Sequence, residues 1–146
     1  MLRLIGLMFI VSFANQSWAW ERFGGYEEDR FEARFEIADD LSLTFLCPDK
    51  QKQLPAAIAY WHWQNNSARE IEFVVDDRLV YGIEMAHKNR FGENQFRADS
   101  PRTKILFNSI VDALRDGSEL VINSPGKAPV PVDLKGSHSA LEKCRA

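Results

Sequence analysis

The side chains able to do nucleophilic or metal chemistry are few and widely separated in this sequence of 146 residues. His62, His87 and His138 have no second histidine or cysteine four residues away, so the spacing of a helical metal site is missing. His138 lies between Ser137 and Ser139, but adjacent residues seldom reach the geometry that an activated serine needs. We therefore expect Ser137 to cap a helix, and we expect no catalytic residue, no bound metal and no cofactor.

Two pairs of adjacent acids, Asp39-Asp40 and Asp76-Asp77, are the other candidates for acid–base chemistry. Two carboxyl groups that are buried together can share a proton. Each pair, however, separates two segments with strand-like alternation, and aspartate in that position is typical of a turn. We expect both pairs to be turn residues.

Cys47 and Cys144 are the only cysteines. They do not form a C-x-x-C motif and no histidine lies near them in sequence, which disfavours a redox-active dithiol and a zinc site. In an oxidising compartment such a pair persists as a disulfide, and the alternative is two free thiols. A disulfide would close a loop with 96 residues inside it, which the chain-entropy model values at about 4–5 kcal/mol.

Residues 1–19 have the features of a secretory signal peptide. Arg3 precedes an apolar run of 11 residues, and the small residues Ser17 and Ala19 fit the −3 and −1 positions of a cleavage site. The run is too short for a bilayer core of about 30 Å, and the alternative is a buried N-terminal helix. We predict a mature domain of residues 20–146, periplasmic or secreted, with no integral membrane segment after cleavage.

The charge balance excludes some partners. The formal net charge is −3, and it becomes −4 once Arg3 is removed with the signal peptide. Binding to nucleic acid or to an anionic membrane surface requires a basic patch. We therefore expect no nucleic-acid partner. The chain that remains is long enough for one domain with one core.

Alternation of apolar and polar residues predicts most of the strands. Residues 30–37 form a half-buried antiparallel strand in this interpretation. Its apolar face comprises Phe31, Ala33, Phe35 and Ile37, and its charged face comprises Arg30, Glu32, Arg34 and Glu36. The next alternating segment places Cys47 on the core face at a strand end, before Pro48. Further strands are predicted over 56–64, within 70–77 and 78–85 (joined near Asp76-Asp77), around Phe96, and over 118–124 and 128–134.

Two helices are predicted after these strands. Ser100, Pro101 and Gly117 have the positions of a cap, a first helical residue and a stop, so a helix is expected over about 101–116. Residues 136–144 resemble a short helix with Ala140, Leu141 and Cys144 on one side. Residues 20–29 are acidic and contain glycine, which is typical of a loose segment. The expected fold is mainly β, a small antiparallel β-sandwich with these two helices and one disulfide.

The segment Tyr60, Trp61, His62 and Trp63 is the most unusual in composition. On a strand, the two tryptophans face one side while Tyr60 and His62 face the other. One set can fill the core while the other meets a protein or glycan partner. The alternative is a strand covered on both sides, by the core and by the helix. These four residues are the predicted interaction surface.

The order of segments resembles a known family. An apolar strand ending in cysteine ("LTFLC") precedes an aromatic strand ("AIAYWHW") and "IEFVVDD", and a helix, "GSELVI" and "VDLKGSHSALEKC" follow. This order, from Leu41 to Cys144, is similar to the TagO/VasI periplasmic accessory proteins of type VI secretion. The invasion-associated locus B proteins are similar in outline. Val132 replaces a phenylalanine of the family pattern, Ser137 replaces an apolar residue, and no tryptophan follows Cys144.

The resemblance implies a non-catalytic periplasmic β-sandwich, and it suggests association with a secretion apparatus. We accordingly expect an exported binding or accessory protein with a protein partner, rather than an enzyme. The alternative is a periplasmic inhibitor or immunity protein that blocks a secreted hydrolase.

Export predicts a defined chain start. Protein purified from its native host should have the intact mass of a chain beginning at Trp20, because signal peptidase cleaves after a small residue such as Ala19. Mass spectrometry of the intact protein measures this directly. A mass that includes Met1 or Leu2 would contradict the prediction.

Overall fold

The computed structural model describes residues 20–24, 30–62 and 69–146, and the predicted leader, 1–19, lies outside them. The first strands are β1 (Glu21–Gly24), β2 (Phe31–Ala38), β3 (Leu41–Leu46), β4 (Ala56–His62) and β5 (Glu70–Val75). They are followed by β6 (Leu79–Glu84), β7 (His87–Lys88), β8 (Asn94–Ala98), helix α1 (Pro101–Asp116), β9 (Glu119–Asn123), β10 (Val130–Asp133) and helix α2 (Ser137–Ala140). The predicted mainly-β class is confirmed.

The strands form two antiparallel sheets. The large sheet has six strands in the order β1-β2-β3-β4-β8-β7, and the small sheet has four in the order β10-β9-β5-β6. Residues 21–24, expected to be loose, instead form β1 and pair with 31–34 of β2. The prediction was wrong there because pairing to a neighbouring strand, which local composition does not reveal, orders this short segment. Residues 25–29 lie outside the described part of the chain.

The two sheets and α1 meet at a cluster of aromatic rings. The ring of Phe45, on the inner face of the large sheet, lies 6.4 Å from Phe73 of the small sheet and 6.0 Å from Phe107 of α1, measured between centroids. The Trp20 ring packs against the same cluster, tilted to both neighbours, with its centroid 6.0 Å from Phe45 and 5.5 Å from Phe35. All five side chains are buried. The core is therefore a three-way junction between two sheets and a helix.

The apolar face predicted for β2 is only partly buried. Ala33 and Phe35 lie in the core, whereas the side chain of Phe31 is 53% exposed. Phe31 is the first residue of β2, and the guanidinium of Arg22 lies 5.7 Å from the centre of its ring. The alternation is correct, but it does not say how far along the strand the core extends.

Both ends of α1 lie at the residues that the sequence predicted, but Gly117 is required by close packing rather than by its backbone conformation. The hydroxyl of Ser100 accepts a hydrogen bond from the Thr103 backbone N–H at 3.2 Å, and Pro101 is the first helical residue. Gly117 has a φ of −84°, which any residue can adopt, so the backbone conformation at this position does not require glycine. A Cβ there would lie 2.6 Å from Val75 Cγ1 and 2.8 Å from the Ala113 carbonyl oxygen. The glycine is needed because β5 passes so close to the helix end.

The disulfide between Cys47 and Cys144 is present, with a Cα–Cα distance of 4.3 Å. Both cysteines lie in the core, Cys47 directly after β3 and Cys144 just beyond α2. Ala140 and Leu141 are buried on the same side as Cys144, as predicted. The bridge therefore joins the short final helix to the large sheet.

Ser137 does not cap α2, in contrast to the prediction. The capping position is Gly136, at φ 90°, and it makes no side-chain capping hydrogen bond. The Ser137 hydroxyl instead donates to the carbonyl oxygen of Leu114 at 2.6 Å in a buried setting. Ser137 thus supplies a partner for a carbonyl in the last turn of α1, where such groups lack helical donors.

Asp76 and Asp77 form the turn between β5 and β6, as predicted, with φ values of 50° and 55°. The carboxylate of Asp76 accepts hydrogen bonds from the backbone N–H groups of Ser118 and Glu119, both at 2.9 Å. Both bonds lower the pKa of Asp76 below its ordinary value, and the bond from Glu119 has the larger effect. The turn is thereby tied to the connection between α1 and β9. In the described ranges no helix is long and apolar enough to cross a membrane.

Replacing Cys144 with serine should destabilise the domain by about 2–5 kcal/mol, because the unfolded chain regains the entropy of an open loop. Urea unfolding measures the loss, and amide exchange should rise mainly over 136–146 because that segment is short and terminal. Reduced wild-type protein is the control that keeps both side chains. Two titratable thiols in unfolded, unreduced protein would contradict the bridge.

Replacing Asp76 with asparagine should flatten the acid side of the stability profile. A lowered folded-state pKa means that the ionised carboxylate stabilises the fold above the unfolded value of 3.8, and that this contribution is lost as the pH falls through the folded pKa. Thermal melts between about pH 2 and pH 6 measure the slope, which should decrease in Asp76→Asn. Asp77→Asn, in the same turn, leaves both backbone hydrogen bonds to Asp76 in place and is the matched control. Equal slopes in all three proteins would contradict the assignment.

Candidate functional site

The outer face of the large sheet carries a groove of about 260 Å³ with charged, polar and apolar lining residues. Because side chains alternate between faces, burying Phe45 turns Thr44 outward, and the register places Arg34 and Ala59 on either side of it. A loop between β7 and β8 overhangs this surface. The groove is lined by Glu32, Arg34, Glu36, Ser42, Thr44, Ala59, Trp61, Phe91 and Glu93.

Glu32 is the most unusual residue in the groove. Alternation assigned it to the polar side of β2, where a charged residue normally faces solvent, yet its side chain is only 2% exposed. Burial raises the pKa of Glu32, and the nearby charges of Arg34 and Arg30 act in the opposite direction. The expectation that the charged face of β2 is exposed to solvent is therefore wrong for Glu32. It is also wrong for Arg30, which is buried and donates a hydrogen bond to the Pro55 carbonyl oxygen.

Arg34 lies between two carboxylates along β2. Its guanidinium nitrogens are 3.7 Å from Glu32 and 3.5 Å from Glu36, and its Nε donates to the Thr44 hydroxyl at 3.3 Å. Glu93 adds a third carboxylate to the groove lining, which contains no second cation among the described residues. The lining itself therefore has three carboxyl groups and one guanidinium, while Arg30 lies close enough to act on Glu32 and the Arg90 guanidinium lies 4.7 Å from the centre of the Phe91 ring.

The predicted aromatic surface is divided between the two faces of the large sheet. Trp61 is half-buried in the groove, opposite Ser42 on β3, while Tyr60 points inward and packs against the core. Burial raises the pKa of Tyr60. The backbone of His62 ends β4, its side chain is not described, and Trp63 lies outside the described residues. Of the two predicted residues whose side chains are described, Trp61 therefore lines the groove and Tyr60 faces the core.

The loop over the groove, residues 89–93, is organised by the buried side chain of Asn89. Its Oδ1 accepts from the backbone N–H groups of Phe91 and Glu93, both at 2.9 Å, and its Nδ2 donates to the Glu93 carboxylate at 2.6 Å. Gly92 occupies left-handed backbone at φ 81°. The Phe91 ring is nevertheless 62% exposed. A fixed loop therefore holds an apolar ring in water at the groove edge.

The other residues singled out for chemistry lie apart from the groove. His87 Nε2 is 3.7 Å from an Asp99 carboxylate oxygen, and His138 Nε2 is 3.5 Å from the Arg115 guanidinium. Asp39-Asp40 forms the tight turn between β2 and β3. Within the described residues, histidine, cysteine, aspartate and glutamate side chains form no group of three that could hold a metal ion.

No family model, no curated protein and no solved structure matches this chain. The predicted interaction surface shares Trp61 with the groove, whereas Glu32, Phe91 and Asn89 were not singled out as candidate site residues from the sequence. The only local signal at the loop is Asn89 followed at three residues by Gly92, which is typical of many turns. Nothing in the sequence distinguishes Glu32 from the other charged residues of β2.

Replacing Asn89 with alanine should loosen the loop, because the partly buried backbone N–H groups of Phe91 and Glu93 lose their acceptor. The expected cost is about 1–3 kcal/mol, the sum of two lost hydrogen bonds at about 0.5–1.5 kcal/mol each. Urea unfolding gives the total, and faster amide exchange at positions 91 and 93 localises it. Asn123→Ala, which removes one exposed bond to Glu72, should cost far less. Unchanged exchange at 91 and 93 would contradict the role of Asn89.

Proposed function

We propose that this chain is an exported, non-catalytic binding protein whose partner docks in the groove of the large sheet. The observation that carries the proposal is one groove lining that contains an exposed ring, Phe91, a half-buried ring, Trp61, and a buried carboxyl group, Glu32. Aromatic side chains beside a desolvated charge are the usual composition of binding hot spots. A charged group kept at 2% exposure costs folding free energy, which is consistent with selection for binding.

The partner fits a protein with an exposed lysine or arginine. Glu32, Glu36 and Glu93 outnumber Arg34 in the groove lining, so an incoming cation can form a charge-assisted hydrogen bond. The guanidinium of Arg90 already lies over the Phe91 ring, 4.7 Å from its centre, so the carboxylates rather than the aromatic faces provide the site for the incoming cation. A carbohydrate would instead bind without dependence on salt.

Export and the accessory role rest on the sequence. The leader-like residues 1–19 and the disulfide both suit an oxidising compartment such as the periplasm. The resemblance to the periplasmic TagO/VasI proteins supports an accessory role beside a secretion apparatus.

A second candidate is an inhibitor or immunity protein that blocks a secreted hydrolase. The loop 89–93 favours it, because Asn89 fixes the backbone and Phe91 projects 62% exposed. Preorganised loops lose little entropy on binding, which suits an inhibitor that inserts one side chain into an enzyme cleft.

Site-directed photo-cross-linking tests the docking site. A benzoylphenylalanine at position 91, expressed in the native host, should cross-link to one protein, and Trp61→Ala should abolish the product by removing the aromatic wall. Binding should weaken with salt and in Glu36→Lys, as charge recognition requires. If the captured protein is a hydrolase silenced at equimolar ratio, the inhibitor role holds; an envelope component supports the accessory role.

The matched controls separate binding from folding. The same cross-linker at Ile105, 69% exposed on α1, should give no specific product. Tyr60→Ala should destabilise the domain, because the Tyr60 ring packs against the core. Removing a fully buried aromatic side chain lowers the free energy of unfolding by about 3–5 kcal/mol, and Trp61→Ala should lower it by less. Equal products from positions 91 and 105, or cross-linking unaffected by Trp61→Ala, would reject the groove as the docking site.

A further inference from the structure

The four sheet edges are not equally protected against pairing with another chain. At one end of each sheet lie β1 and β10, of four residues each, and β10 contains Pro131, which has no N–H to donate. The far edge of the large sheet, β7, has two residues. Short edge strands and proline are the usual means by which sheets avoid pairing edge to edge. The remaining edge, β6, has six residues and no proline.

The hydrogen-bonding pattern shows which groups of β6 face outward. The Met85 N–H donates to the Arg69 carbonyl oxygen at 2.6 Å, just beyond the paired ends of β5 and β6. In an antiparallel ladder, pairs that exchange hydrogen bonds alternate with pairs that do not. Residues 79, 81 and 83 therefore bond to β5. Val80, Gly82 and Glu84 direct their backbone N–H and C=O groups away from it.

The side chains of β6 are unusually apolar for an edge. Leu79 is 48% and Val80 is 58% exposed, and a Cβ on Gly82 would meet nothing within 4 Å. Glu84 lies directly opposite Glu70 of β5. Like charges in directly opposed positions destabilise a sheet. The edge thus carries two exposed apolar side chains, and within the described ranges Glu84 has no paired cation.

We propose that two copies of this chain pair through β6, antiparallel and centred on Tyr81, to form one continuous sheet. In this register Arg78 of each copy, the turn residue just before β6, lies opposite Glu84 of the other, and its side chain supplies the cation that the Glu70–Glu84 pair lacks. Val80 lies opposite Gly82 of the second copy, where open space receives it, and Leu79 lies opposite Ile83. The symmetry is two-fold, so each favourable contact occurs twice.

The wild-type experiment measures self-association of the mature protein. Sedimentation velocity from roughly micromolar to roughly millimolar concentration should show a reversible monomer–dimer equilibrium, as a small interface gives modest affinity. Amide exchange should slow on dimerisation at Val80, Gly82 and Glu84, with positions 79, 81 and 83 unchanged. A monomer throughout this range, or protection without this alternation, would overturn the proposal.

Charge reversal tests the register. Glu84→Arg and Arg78→Glu should each weaken dimerisation by about tenfold or more, since two ion pairs become two like-charge pairs. Glu84→Arg also relieves the repulsion from Glu70, so its monomer should melt no lower than wild type, which separates lost association from misfolding. Glu119→Arg, on β9 away from the edge, should dimerise normally.

Mixing the two reversed variants provides the decisive outcome. One copy with Glu at 78 and 84 and one with Arg at both positions place opposite charges at every contact, so the mixture should recover wild-type affinity as a heterodimer. If both variants dimerise normally, or if the mixture stays monomeric, the register is wrong. A dimer that Glu36→Lys disrupts and Glu84→Arg does not would place the interface at the groove instead.

Discussion

The burial of the Phe45 ring against three other aromatic rings is the constraint on which both faces of the large sheet depend. Trp20, Phe73 and Phe107 reach it from the first strand region, the small sheet and α1. Side chains of a strand alternate between faces, so a slip of one residue would exchange the two faces of β3 entirely. The core contact that holds the sheets together therefore also determines that Thr44 lines the groove.

Features encoded by neighbouring residues could be predicted. Alternation identified most strands, Ser100 and Pro101 marked the start of α1, and Asp76-Asp77 marked a turn. Features that depend on distant segments could not. Ser137 bonds to a carbonyl 23 positions away, and β1 is ordered by pairing with β2; neither partner is visible in the local pattern.

The candidate site shows the same division. The alternation of Tyr60 and Trp61 between two faces follows from strand geometry alone. The burial of Glu32 does not, because Arg30, Glu32, Arg34 and Glu36 form one uniform pattern and only the packing around the finished sheet distinguishes them. Charged residues at such positions are usually solvated, so a general rule gives the wrong answer at the residue of most interest.

The bridge between Cys47 and Cys144 also decides how the domain carries mechanical load. Residues 48–143 lie inside a covalent ring whose two ends are 4.3 Å apart at their Cα atoms. A pull applied between Trp20 and Ala146 therefore passes through β1, β2 and β3 and then crosses the sulfur atoms. The small sheet and α1 lie off this path, so while the bridge is intact tension cannot extend them. Under load, such a domain can lose its first three strands while residues 48–143, inside the covalent ring, are not extended.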